Sequence, residues 1–144
     1  MVRRQTEYDG DLQHLESMRA FLREVCRESW QGEAADEDRI LRLALALTEA
    51  ASNIILHGQE GQQHKPITLT VDVDDDQVLV TLQHTGKPFD PQSAPAPVFD
   101  GSRQSGFGLY LIRKCVDEVR YCQDAEGRCV MHLVQKRKQQ HKGG

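Results

Sequence analysis

Glu49, Asn53 and His57 stand four residues apart in the stretch LALALTEAASNIILHG, Leu43 to Gly58. On a helix that spacing stacks all three on one face. A carboxylate can take a proton, and an amide oxygen can ligate a hard cation. An ionised carboxylate does not enter a core unpaired, since its desolvation costs several kcal/mol. Either Glu49 is paired internally, with Arg39, Arg42 or another core partner, or its helix borders a wet polar cavity. Two further stretches could do chemistry. In QHTGKPFDP, Gln83 to Pro91, Gly86 allows a ligand or another backbone to approach closely, although an ordinary strand-ending turn would look the same. In SGFGLYLI, Ser105 to Ile112, two glycines lead into an amphipathic helix, whose free amides and dipole would favour a phosphate. A lone G-x-G is weak evidence by itself.

The elements that must position these residues are legible in the hydrophobic pattern. From Asp11 to about Ser29, Leu12, Leu15, Met18, Phe21, Leu22 and Val25 recur at helical spacing, predicting an amphipathic helix. The polar segment Gln31 to Ala35 breaks it, and Asp36 is expected to cap a second helix running to His57, with Gly58 at its C-terminus. Leu41, Leu43, Ala44, Leu45, Leu47, Ala50, Ala51, Ile54 and Ile55 wrap most of that helix, predicting burial. ITLTVDV, Ile67 to Val73, and Val78 to Leu82 alternate, with Asp74, Asp75 and Asp76 as the turn of a hairpin. Residues 91–105, rich in Pro, Ser and Gly, are expected to be a lid or a disordered loop. Gly106 to Asp117 returns to helical spacing, and Val119 to Gln123 with Cys129 to Val134 predict a closing hairpin around Ala125-Glu126. Val2 to Tyr8 is expected to be a short edge strand.

Composition narrows the function classes. At 144 residues the chain suits one domain, read as 1–136 with a flexible basic tail over 137–144. A net charge of −4 gives no reason to expect nucleic-acid binding. The longest apolar run, Leu43 to Leu47, is far short of the roughly 20 residues of a membrane span, and no targeting segment is visible, so a cytoplasmic protein is expected. Cys26, Cys115, Cys122 and Cys129 form no zinc pattern and are expected to be free core thiols. A hairpin turning at Ala125-Glu126 would set Cys122 opposite Cys129.

Together the three stretches resemble the GHKL (Bergerat-fold) ATPases, specifically the small anti-sigma-factor serine kinases. E-A-x-x-N-x-x-x-H-G, Glu49 to Gly58, looks like that family's N box. T-G-K-P-F-D-P resembles its first glycine box, and G-F-G-L-Y-L-I, followed by Asp117-Glu118-Val119, its second. The resemblance implies an α+β fold, a two-layer α/β sandwich with a mostly antiparallel mixed sheet covered on one face by helices. It implies Glu49 as general base and Asn53 as Mg²⁺ ligand. It also implies ATP bound through Asn53, His57, His84, Gly86, Phe89, Arg103, Gly106, Phe107, Gly108 and Leu109, with residues 91–105 as the lid.

The family's first glycine box begins with Asp, whose carboxylate accepts from the adenine amino group; here that position is His84. Cys129 stands where the last hairpin often carries a Thr. Two readings follow. One is an ATP- and Mg²⁺-dependent kinase that phosphorylates a STAS-like anti-sigma antagonist and binds a sigma factor, with a homodimer possible. The other is a regulatory binding module with an altered base pocket and little catalysis. The ATP-binding half of a sensor histidine kinase fits less well, because His57-Gly58 replaces the lysine and aromatic residue usual there.

Overall fold

The structure, a computed structural model, describes residues 1–31, 33–57, 65–86 and 105–137, with the backbone alone at 105–107. Among them run strand β1 (Val2–Asp9), a 3₁₀ turn (Leu12–His14), helices α1 (Leu15–Arg27) and α2 (Ala34–His57), strands β2 (Pro66–Val73) and β3 (Gln77–His84), helix α3 (Ser105–Cys115), and strands β4 (Glu118–Gln123) and β5 (Cys129–Lys136). The strands form one sheet in the order β1-β2-β3-β5-β4, with every pairing antiparallel. The expected α+β sandwich is therefore present, with β1 as the expected edge strand.

The alternation read in the sequence decides which face is covered. Ile67, Leu69, Val71 and Val73 of β2, Val78, Val80 and Leu82 of β3, and Met131 and Leu133 of β5 join one core with Met18, Leu22 and Val25 of α1 and the inner residues of α2. Each such large apolar side chain contributes about 1.5–3 kcal/mol on burial. The opposite face mixes Thr68, Thr70, Asp72, Thr81, Gln83 and His132 with Leu79, Val130 and Val134. The β2–β3 turn is closed by Asp74, whose Oδ1 accepts from the amides of Asp76 (2.7 Å) and Gln77 (2.9 Å).

Three expectations change. Asp36 does not cap α2; it lies inside the first turn, 1% exposed, gripped by Arg39 and by Arg137. Helix α2 is not buried all round: Leu41, Leu45 and Leu56 are 55, 52 and 58% exposed. By length and composition α2 could cross a membrane, yet its inner residues belong to the core shared with α1 and the sheet. Finally, Cys122 pairs with Val130, and Cys129 with Gln123. The connection holds five residues, with Asp124 N–H donating to Arg128 O (2.9 Å) and Gly127 in the left-handed region at φ 82°. That shift of one residue sends the two cysteines to opposite faces, Cys129 buried and Cys122 exposed. All four thiols are free, as expected, but only Cys26 and Cys129 are buried. Burial pushes the Cys26 thiol up to about 12, which makes it inert at neutral pH.

Helices α2 and α3 run in opposite senses. The Gln135 side-chain amide donates to the carbonyls of Arg39, early in α2 (3.1 Å), and Cys115, at the end of α3 (2.8 Å). Gln135 faces Val78 at one end of the sheet. The later half of α2 and the first turn of α3 therefore lie together, toward the end where β3 stops at His84.

Candidate functional site

The first turn of α3 packs on the polar stripe of α2. A Cβ built at Gly108 would lie 3.1 Å from Asn53 Nδ2, 3.3 Å from Glu49 Oε1 and 3.4 Å from Asn53 Oδ1. Only a residue without a side chain lets the first turn of α3 rest against both groups unshifted. Glu49 and Asn53 are half-buried, one helical turn apart. The two arginines that might have neutralised Glu49 are engaged elsewhere, Arg39 with Asp36 (3.0 Å) and Arg42 with Asp38 (3.1 Å). Among the described residues nothing forms an ion pair or hydrogen bond with the Glu49 carboxylate. Of the two alternatives, internal pairing of Glu49 is not found among the described residues.

The first turn of α3 adds donors. Its opening amides have no partner within the helix, and it carries no acidic residue there, while Arg113 and Lys114 occupy its last turn. Its positive end is thus uncompensated by its own side chains and sits beside a carboxylate and an amide oxygen. Among the described residues no three His, Cys, Asp or Glu side chains gather to hold a metal. Glu49 and Asn53 offer hard oxygens of the kind Mg²⁺ takes beside phosphate and water.

At the end of β3, alternation turns His84 toward the helix side, 3% exposed. Its Nδ1 lies 3.2 Å from the Thr85 carbonyl, and burial pulls its pKa down, so the ring is neutral at pH 7. A carbonyl only accepts, so Nδ1 carries the proton and Nε2 keeps its lone pair. Nε2 is buried and has no hydrogen-bond partner among the described residues. Two residues on, Gly86 has φ 131°, a conformation that favours glycine, and its carbonyl lies 3.7 Å from Cys129 Sγ. Cys129 is itself directly opposite His84 across the β3–β5 ladder.

Of the residues expected at a site, the structure brings Glu49, Asn53 and Gly108 together, and His84, Gly86 and Cys129 together. His57 is exposed at the last position of α2, and Leu109 is 4% exposed in α3. Gly106 and Phe107 lie in the first turn of α3. Gly58, Phe89, Arg103 and the lid residues before Ser105 lie outside the described residues. One participant left no trace in the sequence: the Thr85 carbonyl, which fixes the His84 tautomer through a backbone atom that any residue carries.

A family model for the histidine kinase-like ATPase domain matches residues 9–132. Over 91 residues the chain is 28% identical to the serine-protein kinase RsbW of Bacillus subtilis (strain 168), a match spanning 58% of this chain and 57% of that kinase. The fold is similar to the structure of the RsbU and RsbW domains of Rv1364c from Mycobacterium tuberculosis, with TM-score 0.64 and 20% identity, over 94% of this chain and 32% of that one. It is also similar to the catalytic domain of the histidine kinase ThkA, with TM-score 0.53 and 18% identity, over 93% of this chain and 97% of that domain.

Proposed function

Since the chain belongs to the histidine kinase-like ATPase domain family, we propose that it is an ATP-dependent protein serine/threonine kinase of the anti-sigma type. One observation carries the proposal: the glycine-led first turn of α3 packs on Glu49 and Asn53 so closely that a methyl group would crowd both. Glu49 then takes the proton from an attacking serine or threonine hydroxyl, a role that asks for an accessible carboxylate without a competing cation. Asn53 Oδ1 would hold Mg²⁺, which neutralises charge on the transferred phosphate when bound. The amides at Gly106 and Gly108 would bind the phosphates, and Arg103 and Phe89 are assigned to nucleotide binding. His57 closes the polar stripe, and Gly86 and Leu109 flank the base and phosphate ends.

The phosphorylated partner is a STAS-like anti-sigma antagonist, and the unphosphorylated balance frees or binds a sigma factor. The match to the serine-protein kinase RsbW supports this partner-switching role. A cytoplasmic chain with residues 1–136 as its one domain, able to pair with a second copy and with no membrane or nucleic-acid partner, completes the proposal. A second reading, a binding module with weakened catalysis, is favoured by one observation: His84 and Cys129 occupy the base end together.

Calorimetric titration of the full chain with ATP and ADP, with and without Mg²⁺, separates the two. Micromolar, Mg²⁺-sensitive ATP binding supports the kinase. No binding under any condition leaves the partner-binding module.

A further inference from the structure

Gln135, near the end of β5, is a polar side chain only 4% exposed and lies outside the site described above. Burying an amide is costly unless its hydrogens find acceptors, so where they point is informative. Both go to helix backbone: Nε2 donates to Arg39 O, early in α2 (3.1 Å), and to Cys115 O, at the last residue of α3 (2.8 Å). The Cys115 carbonyl belongs to the final turn of α3 and has no partner within its own helix. Gln135 is itself held firmly, since it pairs with Val78 in the sheet and Arg137, two residues on, grips Asp36 of α2. Asp117, just past α3, is bonded to β5 as well. Its N–H donates to Val134 O (2.9 Å), and its Oδ2 accepts from the Lys136 N–H (2.7 Å). The C-terminal end of α3 is thus pinned to the sheet, and through Gln135 it is pinned to α2.

From Cys115 back to Gly108 the helix rises by roughly 10 Å. At that other end the fit is tight: a Cβ at Gly108 would stand 3.1 Å from Asn53 Nδ2 and 3.3 Å from Glu49 Oε1. A helix fastened at one end and packed this closely at the other has little room to slide or tilt along α2. We propose that Gln135 is a positioning residue for the nucleotide site, fixing the phosphate-binding turn of α3 in register with Asn53 on α2. The inference rests on the nucleotide-binding proposal and adds what holds the two halves of that site together. Phosphates alone need only the amides of α3. With Mg²⁺ they must reach those amides and a cation held by Asn53 Oδ1 at once, so the register between the helices matters most then.

The test titrates the full chain with ATP, with and without Mg²⁺, and compares it with Gln135→Met, which keeps the bulk and loses both donors. Gln135→Met should weaken ATP binding in the presence of Mg²⁺ by roughly tenfold and leave metal-free ATP binding within about threefold. A side chain that served the fold alone would lower the unfolding midpoint and leave both affinities, measured well below that midpoint, as they were. That result overturns the positioning role and leaves nucleotide binding standing. An equal fall in both affinities overturns it too, since α3 would then have lost its own phosphate contacts rather than its register. No ATP binding by the unaltered chain overturns nucleotide binding, and the inference with it. Should Gln135→Met not fold, Gln135→Asn, one methylene too short to reach both carbonyls, is titrated and read in the same way.

Discussion

Two acidic residues of helix α2, Asp36 and Glu49, are treated in opposite ways. Asp36, at its start, is 1% exposed and saturated with cations: Arg39 Nη1 reaches Oδ1 at 3.0 Å, and Arg137 Nε and Nη2 reach Oδ2 at 3.1 and 2.9 Å. The Arg137 guanidinium also lies 5.2 Å from the centre of the Trp30 ring, whose Nε1 donates to Asp74 O (2.8 Å). That cluster ties the end of β5 to α2 and to the β2–β3 turn, and it holds Arg137, the first residue of the basic tail. Glu49, thirteen positions later, is only half-buried and meets a glycine and an amide instead of a cation. A charge that is fully paired holds a fold together. A half-buried charge that lacks a cation among the described residues is left available to another partner.

Substitutions can break or sharpen that contrast. Glu49→Ala should reduce phosphoryl transfer by about 10²–10⁴-fold while leaving nucleotide affinity within a few-fold. Its unfolding midpoint should stay where it was; single-turnover transfer and thermal denaturation read the two effects separately. A variant that still transfers phosphate removes Glu49 as the base. Asp36→Ala should do the reverse, costing about 3 kcal/mol of stability by stranding two guanidinium groups, with ATP affinity unchanged. Urea denaturation beside a nucleotide titration checks it, and loss of affinity at full stability would erase the distinction between the two ends of α2. Gly108→Ala should have the smallest overall effect of the three. Alanine gains about 1 kcal/mol in helix propensity, while its Cβ pushes Asn53 and Glu49 by a few tenths of an ångström. Stability should change by less than about 1 kcal/mol, and transfer should fall by about tenfold, since small misplacement at a reacting centre is costly. Unchanged transfer would mean the two side chains can give way without consequence.

The parts of the fold legible in the sequence were those set by period. The stripe on α1, the alternation of β2 and β3, and the glycine-led start of α3 each follow from local spacing, because a helix or strand presents its faces at a fixed period. The polar stripe on α2 was legible for the same reason, and so were Glu49, Asn53 and Gly108 as residues to watch. The parts that were not legible depend on count or on distant partners. One residue in the 124–128 turn separates facing cysteines from cysteines on opposite faces. Asp36 reads as a cap until Arg137 arrives from the far end of the chain, 101 residues away. Leu41 and Leu45 read as core until the helices are seen to leave that side of α2 uncovered.

The sequence by itself determined where polar groups interrupt an apolar helix and where the backbone needs glycine, since both are properties of neighbours along the chain. Which carboxylate became a clamp and which stayed open was decided by the tertiary structure. The same decision set which His84 nitrogen holds the proton. Pairing and protonation depend on the groups that packing brings within about 3 Å, and in this chain those groups come from opposite ends of the sequence or from the backbone itself.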